Sequence, residues 1–166
     1  MRLYLLRHAR AEIGGNQTPD EARPLTEDGH RDAADVASWL ADRAEPPTHV
    51  LCSSARRTVE TMEHVVAAMS EKPATSVSDE LYLASAWKLF EQVRDTEPGV
   101  ASLLIVGHNP GMAELAAKLS GHGDPALLRS LARRFPPAAL AEIELELESW
   151  GQLEPTCGKL VSHYVA

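Results

Sequence analysis

The sequence lacks the features that mark several large classes of protein. Its 166 residues include only two cysteines, Cys52 and Cys157, which are too few and too far apart for a disulfide framework or a cysteine metal cluster. No stretch approaches the ~18 apolar residues of a membrane-spanning helix. The apolar run at residues 3–6 is too short for the core of a signal peptide. We therefore expect a cytoplasmic protein with reduced thiols and no membrane association.

Positive charge is also scarce. Sixteen Lys and Arg stand against 24 Asp and Glu, which gives a formal net charge of −8 at pH 7. A broad basic face cannot be built from this composition, so we expect no nucleic-acid partner, although a small cationic pocket is still possible. Neither a Walker A motif nor a G-x-G-x-x-G motif occurs, which excludes the common nucleotide-binding loops.

What the sequence does contain is a regular alternation of short apolar runs and helical periodicity. We expect a single domain spanning residues 1–166, because no repeat or linker divides the chain. Apolar runs predict strands at residues 3–6, 49–52, 75–77 and 102–106, with a last one at 160–165. Strands that alternate with helices indicate an α/β fold, a three-layer α/β/α sandwich with a mostly parallel, mixed sheet.

The helices are predicted from their caps and their apolar stripes. Thr26 is a suitable N-cap, Ser53 and Ser54 are expected to open the next helix, and Asn109 and Pro110 suit a later helix start. The expected buried faces are Ala33, Val36, Ala37 and Leu40; Val59, Met62, Val66 and Met69; Leu83, Trp87, Phe90 and Val93; and Met112, Leu115, Ala116 and Leu119. Residues 141–148 alternate apolar residues with glutamates, which predicts a half-buried strand near a sheet edge with its acidic face in water.

Polar side chains collect where three of the predicted strands end. Arg7 and His8 follow the first strand, Arg57 lies in the helical turn after the second, and His108 follows the run at 102–106. Each residue alone has an ordinary explanation, as a surface charge or a hydrogen-bonded histidine. Ligands of open α/β sheets bind beyond the carboxyl ends of the strands, beside helix N-termini that favour anions. The shared position therefore predicts a pocket for an anion such as a phosphoryl group.

Other catalytic arrangements fit the sequence poorly. A cysteine-dependent phosphatase needs arginine six residues after its cysteine, and Thr58 stands there after Cys52. The serines at 53 and 54 lack the glycines of a nucleophile elbow. A zinc site built on His8 and His108 has no third ligand nearby in the pattern. We expect neither a metal nor another cofactor.

Four segments in the same order resemble the histidine phosphatase superfamily, also called phosphoglycerate-mutase-like. They are LYLLRHARAE at 3–12, PLTEDG at 24–29, SSARRTVET at 53–61 and VGHNP at 106–110. Within the superfamily the chain is most similar to the small SixA-type phosphohistidine phosphatases. Segments 135–145 and 149–155 also resemble that branch, so the similarity runs nearly end to end.

The resemblance implies a role for each residue at the strand ends. His8 would be the catalytic nucleophile that takes the phosphoryl group, while Arg7, Arg57 and His108 would be catalytic residues that bind its oxygens. The family register selects Arg57 over Arg56, which is then a solvated side chain. The activity implied is a phosphatase with a covalent phosphohistidine on His8. Its substrate would be a phosphorylated partner such as a histidine-containing phosphotransfer protein, and we expect the chain itself to be a monomer.

The sequence departs from the family pattern at two places. Ala9 stands where the usual motif has glycine, and we expect this to be tolerated. The region that often supplies a general acid reads SDELYLASAW, in which Glu80 and Asp79 are weak candidates and can equally be exposed charges. A missing acid would favour phosphohistidine over sugar phosphates, because an alkoxide leaving group needs a proton.

Several alternatives stay open at this point. One is a phosphomonoesterase for a small molecule, with loops 10–24 and 78–88 setting the size of the pocket. Another is a non-catalytic module that binds phosphate or a phosphoprotein, although such a module would not need the nucleophile. A mutase is a third, but the chain is short for the insertions that enclose a phosphosugar. Arg10 and the 10–24 loop receive no specific role.

Overall fold

The computed structural model describes residues 1–15 and 18–166, and in this part of the chain seven strands alternate with five α-helices. Asn16, predicted to lie in a loop, falls outside the described residues. The strands are β1 (Arg2–Arg7), β2 (His49–Ser53), β3 (Ala74–Ser78), β4 (Ser102–Gly107), β5 (Ser120–Gly123), β6 (Leu140–Glu144) and β7 (Gly158–Tyr164). The helices are α1 (Glu27–Ala41), α2 (Arg56–Ala68), α3 (Ala86–Arg94), α4 (Gly111–Leu119) and α5 (Pro125–Arg133).

One sheet contains the strands in the order β3-β2-β4-β1-β6-β7-β5. The pairs β3–β2, β2–β4, β4–β1 and β7–β5 are parallel, and β6 is antiparallel to both of its neighbours. The sheet is therefore mostly parallel and mixed, which confirms the predicted fold class. β1, β2 and β4 lie side by side, so their carboxyl ends meet at one edge, where the sequence places its polar groups.

The sheet separates two apolar cores. Tyr4 and Leu6 point to one face, with buried residues of α1 and α2, whereas Leu3 and Leu5 point to the other, with α3, α4 and α5. Successive side chains of a strand alternate between faces, so β1 contributes to both cores. All six residues of β4 are buried, as expected for a strand covered by helices on both sides.

The start of α1 follows the prediction. Thr26 caps the helix, its Oγ1 accepting a hydrogen bond of 2.9 Å from the backbone N–H of Gly29. A side chain at Gly29 would collide with the carbonyl oxygen of Arg10, so only glycine allows this close approach. The contact holds the first turn of α1 against the loop that leaves β1.

The prediction for α2 was wrong in its start and in part of its buried face. The helix begins at Arg56, with Ala55 rather than a serine before it. Its inner face includes the fully buried Thr58 and Thr61. Met62 and Met69 are buried as predicted, whereas Val59 and Val66 are only partly buried against the core. The two threonine hydroxyls are satisfied inside the fold, donating to backbone carbonyls. This rotation of α2 turns Arg57 inward.

Two other helix starts also differ from expectation. Leu83 and Trp87 are exposed rather than buried, because α3 begins only at Ala86 and turns Leu89, Phe90 and Val93 inward. α4 begins at Gly111, so Asn109 does not cap it. The side-chain amide of Asn109 instead donates to the carbonyl of Phe135 at 2.8 Å.

The acidic strand near the C-terminus is not an edge strand. β6 lies between β1 and β7, which corrects the expected edge position. Glu142 on this strand is buried instead of facing water, and its carboxylate lies 3.6 Å from Nη1 of Arg2. β5 and α5 were not predicted at all. The sheet edges are β3 and β5.

No helix in the described ranges combines the length and the apolar character needed to cross a membrane. Both cysteines are free thiols. Cys52 is buried in β2, and burial raises the pKa of its thiol to about 12. It is therefore protonated at neutral pH and suited to packing rather than to nucleophilic attack.

Candidate active site

The four residues predicted from the strand ends line one pocket. Arg7 ends β1 and His8 follows it, Arg57 lies in the first turn of α2, and His108 follows β4. All four border a cavity of about 620 Å³ at the carboxyl edge of the sheet. The predicted convergence is therefore confirmed in the structure.

His8 is fixed by its backbone and by its ring. Its N–H donates to the carbonyl of Gly107 at 3.0 Å, and its carbonyl accepts from the N–H of Ala138 at 3.1 Å. Nδ1 lies 2.7 Å from the carbonyl oxygen of Ala9. A carbonyl oxygen can only accept, so the ring proton sits on Nδ1. The lone pair of Nε2 is then the free nucleophilic position.

The environment of His8 keeps the ring neutral. Burial is the largest cause that lowers its pKa, to about 4, and the charges of Arg57 and Arg7 act in the same direction. The hydrogen bond to Ala9 opposes them. At neutral pH the imidazole is unprotonated at Nε2, which is the form that can attack phosphorus.

Arg57 connects the two histidines although its side chain is only 2% exposed. Its Nε lies 3.3 Å from Nε2 of His8, and its Nη2 lies 3.3 Å from Nδ1 of His108. Nη1 donates to the backbone carbonyl of Asp20 at 2.7 Å, and Nη2 reaches the carboxylate of the same residue at 3.0 Å. The guanidinium is thus a fixed cation at the base of the pocket.

Arg7 is the second cation of the pocket, and not all of its N–H donors have a partner in the described chain. Its Nη1 donates to the carbonyl of Phe135 at 2.9 Å, while Nε is buried without a hydrogen-bond partner. Burial lowers the pKa of this guanidinium, which stays charged at neutral pH. An unsatisfied buried donor is costly, and an anion in the pocket would satisfy it.

His108 is held by a serine at the end of β2. Its Nε2 lies 2.7 Å from Oγ of Ser53, and Nδ1 faces the Nη2 donor of Arg57, so the proton sits on Nε2. Burial, His8 and Arg57 lower the pKa of His108 to about 3. A dianionic phosphoryl group would act in the opposite direction and raise that pKa. The ring can then take up a second proton on Nδ1 and donate it to a phosphoryl oxygen.

Sequence reasoning missed Asp20, which stands in the turn Asp20–Ala22 over the pocket. Besides Arg57, its carboxylate accepts from the hydroxyl of Tyr82 at 2.6 Å and from two nitrogens of Arg23 at 2.7 and 3.0 Å. The hydrogen bonds from Tyr82 and Arg23 hold the pKa of this carboxyl well below its usual range. The only hint in the sequence is the spacing of Asp20 and Arg23 inside a loop that was given no specific role.

The weaker candidates for a catalytic role lie outside the pocket. Glu80 is 62% exposed and its carboxylate pairs with Nζ of Lys88 at 2.7 Å, and neither Glu80 nor Asp79 lines the pocket. Arg56 is 59% exposed and pairs with Glu60 at 2.7 Å, which confirms that it is a surface side chain. Both findings agree with the ordinary explanation of a solvated charge.

Arg10 and Ala9 have structural tasks beside the nucleophile. Arg10 lines the mouth of the pocket, and its guanidinium pairs with Asp32 at 2.7 Å and with Asp28 at 3.4 Å. Ala9 is fully buried, donates its N–H to Oγ1 of Thr61 at 3.1 Å, and does not adopt a positive φ. Alanine therefore meets the backbone requirement at this position without the freedom of glycine.

The arrangement provides a nucleophile and fixed positive charge on one anion-sized site. Two arginines and one histidine can surround three phosphoryl oxygens while Nε2 of His8 faces the phosphorus. Within the described ranges, no group of three or more His, Cys, Asp or Glu side chains is arranged to hold a metal ion.

Comparison with known proteins gives one family and several relatives. A sequence profile of the histidine phosphatase superfamily (branch 1) matches residues 3–83. An uncharacterized protein of Mycobacterium tuberculosis is 31% identical over 163 residues, which cover 96% of this chain and 99% of the relative. Phosphohistidine phosphatase SixA of Escherichia coli is 27% identical over 148 residues, or 88% and 86% of the two chains. A solved structure of the protein histidine phosphatase SixA complexed with tungstate has a TM-score of 0.76 at 25% identity, covering 98% of this chain and 96% of the other.

Proposed function

Because the chain belongs to the histidine phosphatase superfamily and is a phosphatase, we propose that it hydrolyses phosphohistidine on a protein through a covalent intermediate on His8. The observation that carries the proposal is the tautomer of His8. The carbonyl of Ala9 holds the Nδ1 proton, and Nε2 faces the same pocket as the guanidiniums of Arg7 and Arg57. A nucleophile and an oxyanion cradle therefore share one site.

The first chemical step needs little more than alignment. The lone pair of Nε2 attacks phosphorus, the bond from phosphorus to the substrate nitrogen breaks, and its electron pair leaves with the substrate imidazole. Arg7 and Arg57 neutralise charge on the equatorial oxygens, and His108 donates to one of them once it is protonated. The geometry of the site is set before the substrate enters, because backbone hydrogen bonds hold His8 at the end of β1 and hydrogen bonds to Asp20 hold the Arg57 side chain.

The carboxyl groups near the pocket favour a phosphohistidine substrate. Among the described residues that line it, Asp20 and Asp28 carry carboxyls. The pKa of Asp20 is held well below its usual range, so it has no proton to give to a leaving group. Asp28 is engaged by Arg10 and Arg31. An alkoxide needs such a proton, whereas an imidazole protonated on its second nitrogen leaves as a neutral molecule.

The second step returns the enzyme to its starting form. In the phosphorylated His8 the proton stays on Nδ1 and is donated to the carbonyl of Ala9, so the ring of the intermediate is a cationic imidazolium. Water attacks phosphorus, the bond from phosphorus to Nε2 breaks, and neutral His8 is regenerated with its lone pair on Nε2. The proton lost by the water leaves with the phosphate or the solvent. The held Nδ1 proton thus makes both the attack and the release favourable.

The decisive experiment compares donors and variants side by side. Wild type and His8→Ala are incubated with a phosphohistidine-bearing phosphotransfer domain and with a panel of phosphomonoesters, sugar phosphates included. We expect rapid dephosphorylation of the domain, slow turnover of the esters and no turnover by His8→Ala. Brief exposure to substrate followed by mass spectrometry should show an acid-labile phosphoryl adduct on His8.

Other results would contradict this function in different ways. Comparable turnover of esters and phosphohistidine would identify a phosphomonoesterase for small molecules. Activity in His8→Ala would exclude the covalent mechanism. Binding of the phosphorylated domain without turnover of any donor would identify a non-catalytic phosphoprotein-binding module.

A further inference from the structure

Three arginines in α5 and directly after it form no ion pair with the rest of the described chain. Arg129, Arg133 and Arg134, here called the α5 arginine patch, are all exposed. Among the described residues none of the three forms an ion pair or a side-chain hydrogen bond. They border a recess of about 720 Å³, which is further lined by Ala126 and Ser130. The recess presents three guanidinium groups to the solvent.

This patch differs from much of the charged surface. Arg10, Arg31 and Arg56 are also on the surface, but each pairs with one or two carboxylates. The chain has a formal net charge of −8, so it contains more than enough carboxylates to pair with the α5 arginine patch. These three arginines within six residues therefore form a local region of positive charge on a molecule whose net charge is negative.

The patch lies next to the catalytic pocket along the chain. Arg134 is followed by Phe135, whose carbonyl accepts hydrogen bonds from Arg7 at 2.9 Å and from Asn109 at 2.8 Å. Two residues further on, Pro137 lines the catalytic pocket itself. The segment after α5 therefore forms part of the pocket wall, and the patch directly precedes this segment in the chain.

We propose that the α5 arginine patch is a docking surface for an acidic face of the phosphoprotein substrate, an inference that rests on the proposed function. An acidic partner is repelled by a molecule of net charge −8 unless a cationic surface faces it on approach. Arginine suits this role because its planar guanidinium forms bidentate hydrogen bonds with carboxylates. The patch would orient the partner so that its phosphohistidine enters the catalytic pocket.

The test separates docking from chemistry by using two donors. The double variant Arg129→Gln/Arg133→Gln removes two charges without adding a bulky group. Lys118→Gln is the matched control, because Lys118 is an exposed cation in the last turn of a nine-residue helix, as Arg133 is, and also lacks an ion pair in the described chain. The donors are an acidic phosphotransfer domain carrying phosphohistidine, and phosphoramidate as a small donor with the same phosphorus–nitrogen bond.

We expect the double variant to lose about tenfold in kcat/KM on the protein donor, and to lose most of the salt dependence of that rate. Turnover of phosphoramidate should stay unchanged in both variants, and Lys118→Gln should match wild type on both donors. Equal loss on the two donors would overturn the docking role, because it would place the effect inside the catalytic pocket. An unchanged rate on the protein donor would overturn it as well.

A binding measurement keeps this proposal distinct from the proposed function. In the His8→Ala background, titration calorimetry with the phosphorylated domain should show about tenfold weaker binding when Arg129 and Arg133 are both replaced. If wild type turned over neither donor but this difference appeared, the docking surface would stand and the catalytic proposal would fail. Patch-dependent binding of a 20-nucleotide single strand that exceeds binding of the domain would identify a nucleic-acid site and overturn the protein partner.

Discussion

The Nε of Arg57 lies 3.3 Å from the Nε2 of His8, so a fixed cation donates toward the very lone pair that must attack phosphorus. The same guanidinium reaches Nδ1 of His108 with Nη2. One side chain thereby orients both histidines and favours the neutral state of each. An anion bound between the two rings would meet the positive charge of Arg57 already in position.

Replacement of Arg57 should therefore damage catalysis far more than replacement of its neighbour. We expect Arg57→Ala to lower kcat by about 100- to 1,000-fold, the range seen when one fixed oxyanion donor is removed. Arg56→Ala should change kcat less than about twofold, because an exposed pair such as the one between Arg56 and Glu60 contributes little. Steady-state kinetics with phosphoramidate measures both, and similar losses would place the functional arginine at the other position.

The buried histidines predict how stability depends on pH. The folded-state pKa values of His8 and His108, about 4 and about 3, lie below the unfolded value of 6.5. The unfolded chain therefore binds more protons than the folded one as the pH falls below 6.5, and folding is disfavoured. This contribution is fully present above pH 6.5 and is lost progressively as the pH falls from 6.5 to about 3.

Denaturant titrations between pH 7 and 4 should show this decrease in the free energy of unfolding. The decrease should be smaller in His8→Gln, which lacks one of the two groups. NMR titration of the ring carbons should give a midpoint for His8 near 4 in the wild type. A midpoint near the ordinary histidine value would mean that the ring is solvated, and would contradict the buried, neutral nucleophile.

Asp20 should oppose the binding of anions in the pocket. Its carboxylate contacts Arg57 and Arg23 and so neutralises part of the charge that a phosphoryl group needs. Asp20→Asn keeps the size and a carbonyl oxygen for Tyr82 but removes the negative charge. We expect tungstate or vanadate to bind about three- to tenfold more tightly, which corresponds to about 1 kcal/mol at the effective dielectric of a protein surface.

Calorimetry with tungstate measures this effect, with Asp79→Asn as the control for a general change in charge. Asp79 lies in the turn Asp79–Leu81 and does not line the pocket, so its replacement should leave tungstate affinity unchanged. Weaker binding by Asp20→Asn would show instead that the carboxylate serves mainly to position Arg57.

Ala9 should matter for stability and not for catalysis. Its methyl group is fully buried and its backbone is ordinary, so Ala9→Gly loses apolar contact and adds freedom to the unfolded chain. We expect a loss of about 1 kcal/mol in the free energy of unfolding, with kcat within about twofold of wild type. Thermal or urea denaturation checks the first and turnover of phosphoramidate the second. A large loss of kcat would mean that the methyl group positions His8 directly.

The sequence was sufficient to predict much of the fold and the placement of the site. Arg7, His8 and His108 follow apolar runs, and parallel strands bring such ends to one edge of a sheet. This inference needed only the strand pattern and the assumption that β1, β2 and β4 are neighbours, which the sheet order confirms. Their proposed catalytic roles came from family resemblance and stay predictions.

Other features could not be read from apolar periodicity, because polar groups or backbone contacts decide them. The inward rotation of α2 depends on Thr58 and Thr61, whose hydroxyls find partners only in the folded chain. β5 has the sequence SGHG, and its Gly121 is required by a close approach to the carbonyl of Thr156. The carboxylate of Asp20 is bound by Arg23 and by Tyr82, which lie 3 and 62 positions away from it in the sequence.

α5 is a different case, since its start signals were in the sequence. Asp124 caps the helix, with its carboxylate accepting from the N–H of Ala126 at 2.6 Å, and Pro125 occupies the first turn. These residues follow a strand that periodicity does not reveal. Apolar periodicity alone therefore did not predict this helix.

The shared register of β1, β2 and β4 makes the site sensitive to chain length. Arg7 stands opposite Gly107, and Cys52 stands opposite Val106, so the residues of the pocket sit at matched heights on three adjacent strands. Inserting or deleting one residue within any of these strands would move its strand end by about 3.3 Å and turn its side chains to the opposite face. Natural variants of this chain should therefore differ in length between the strands and hardly ever inside them.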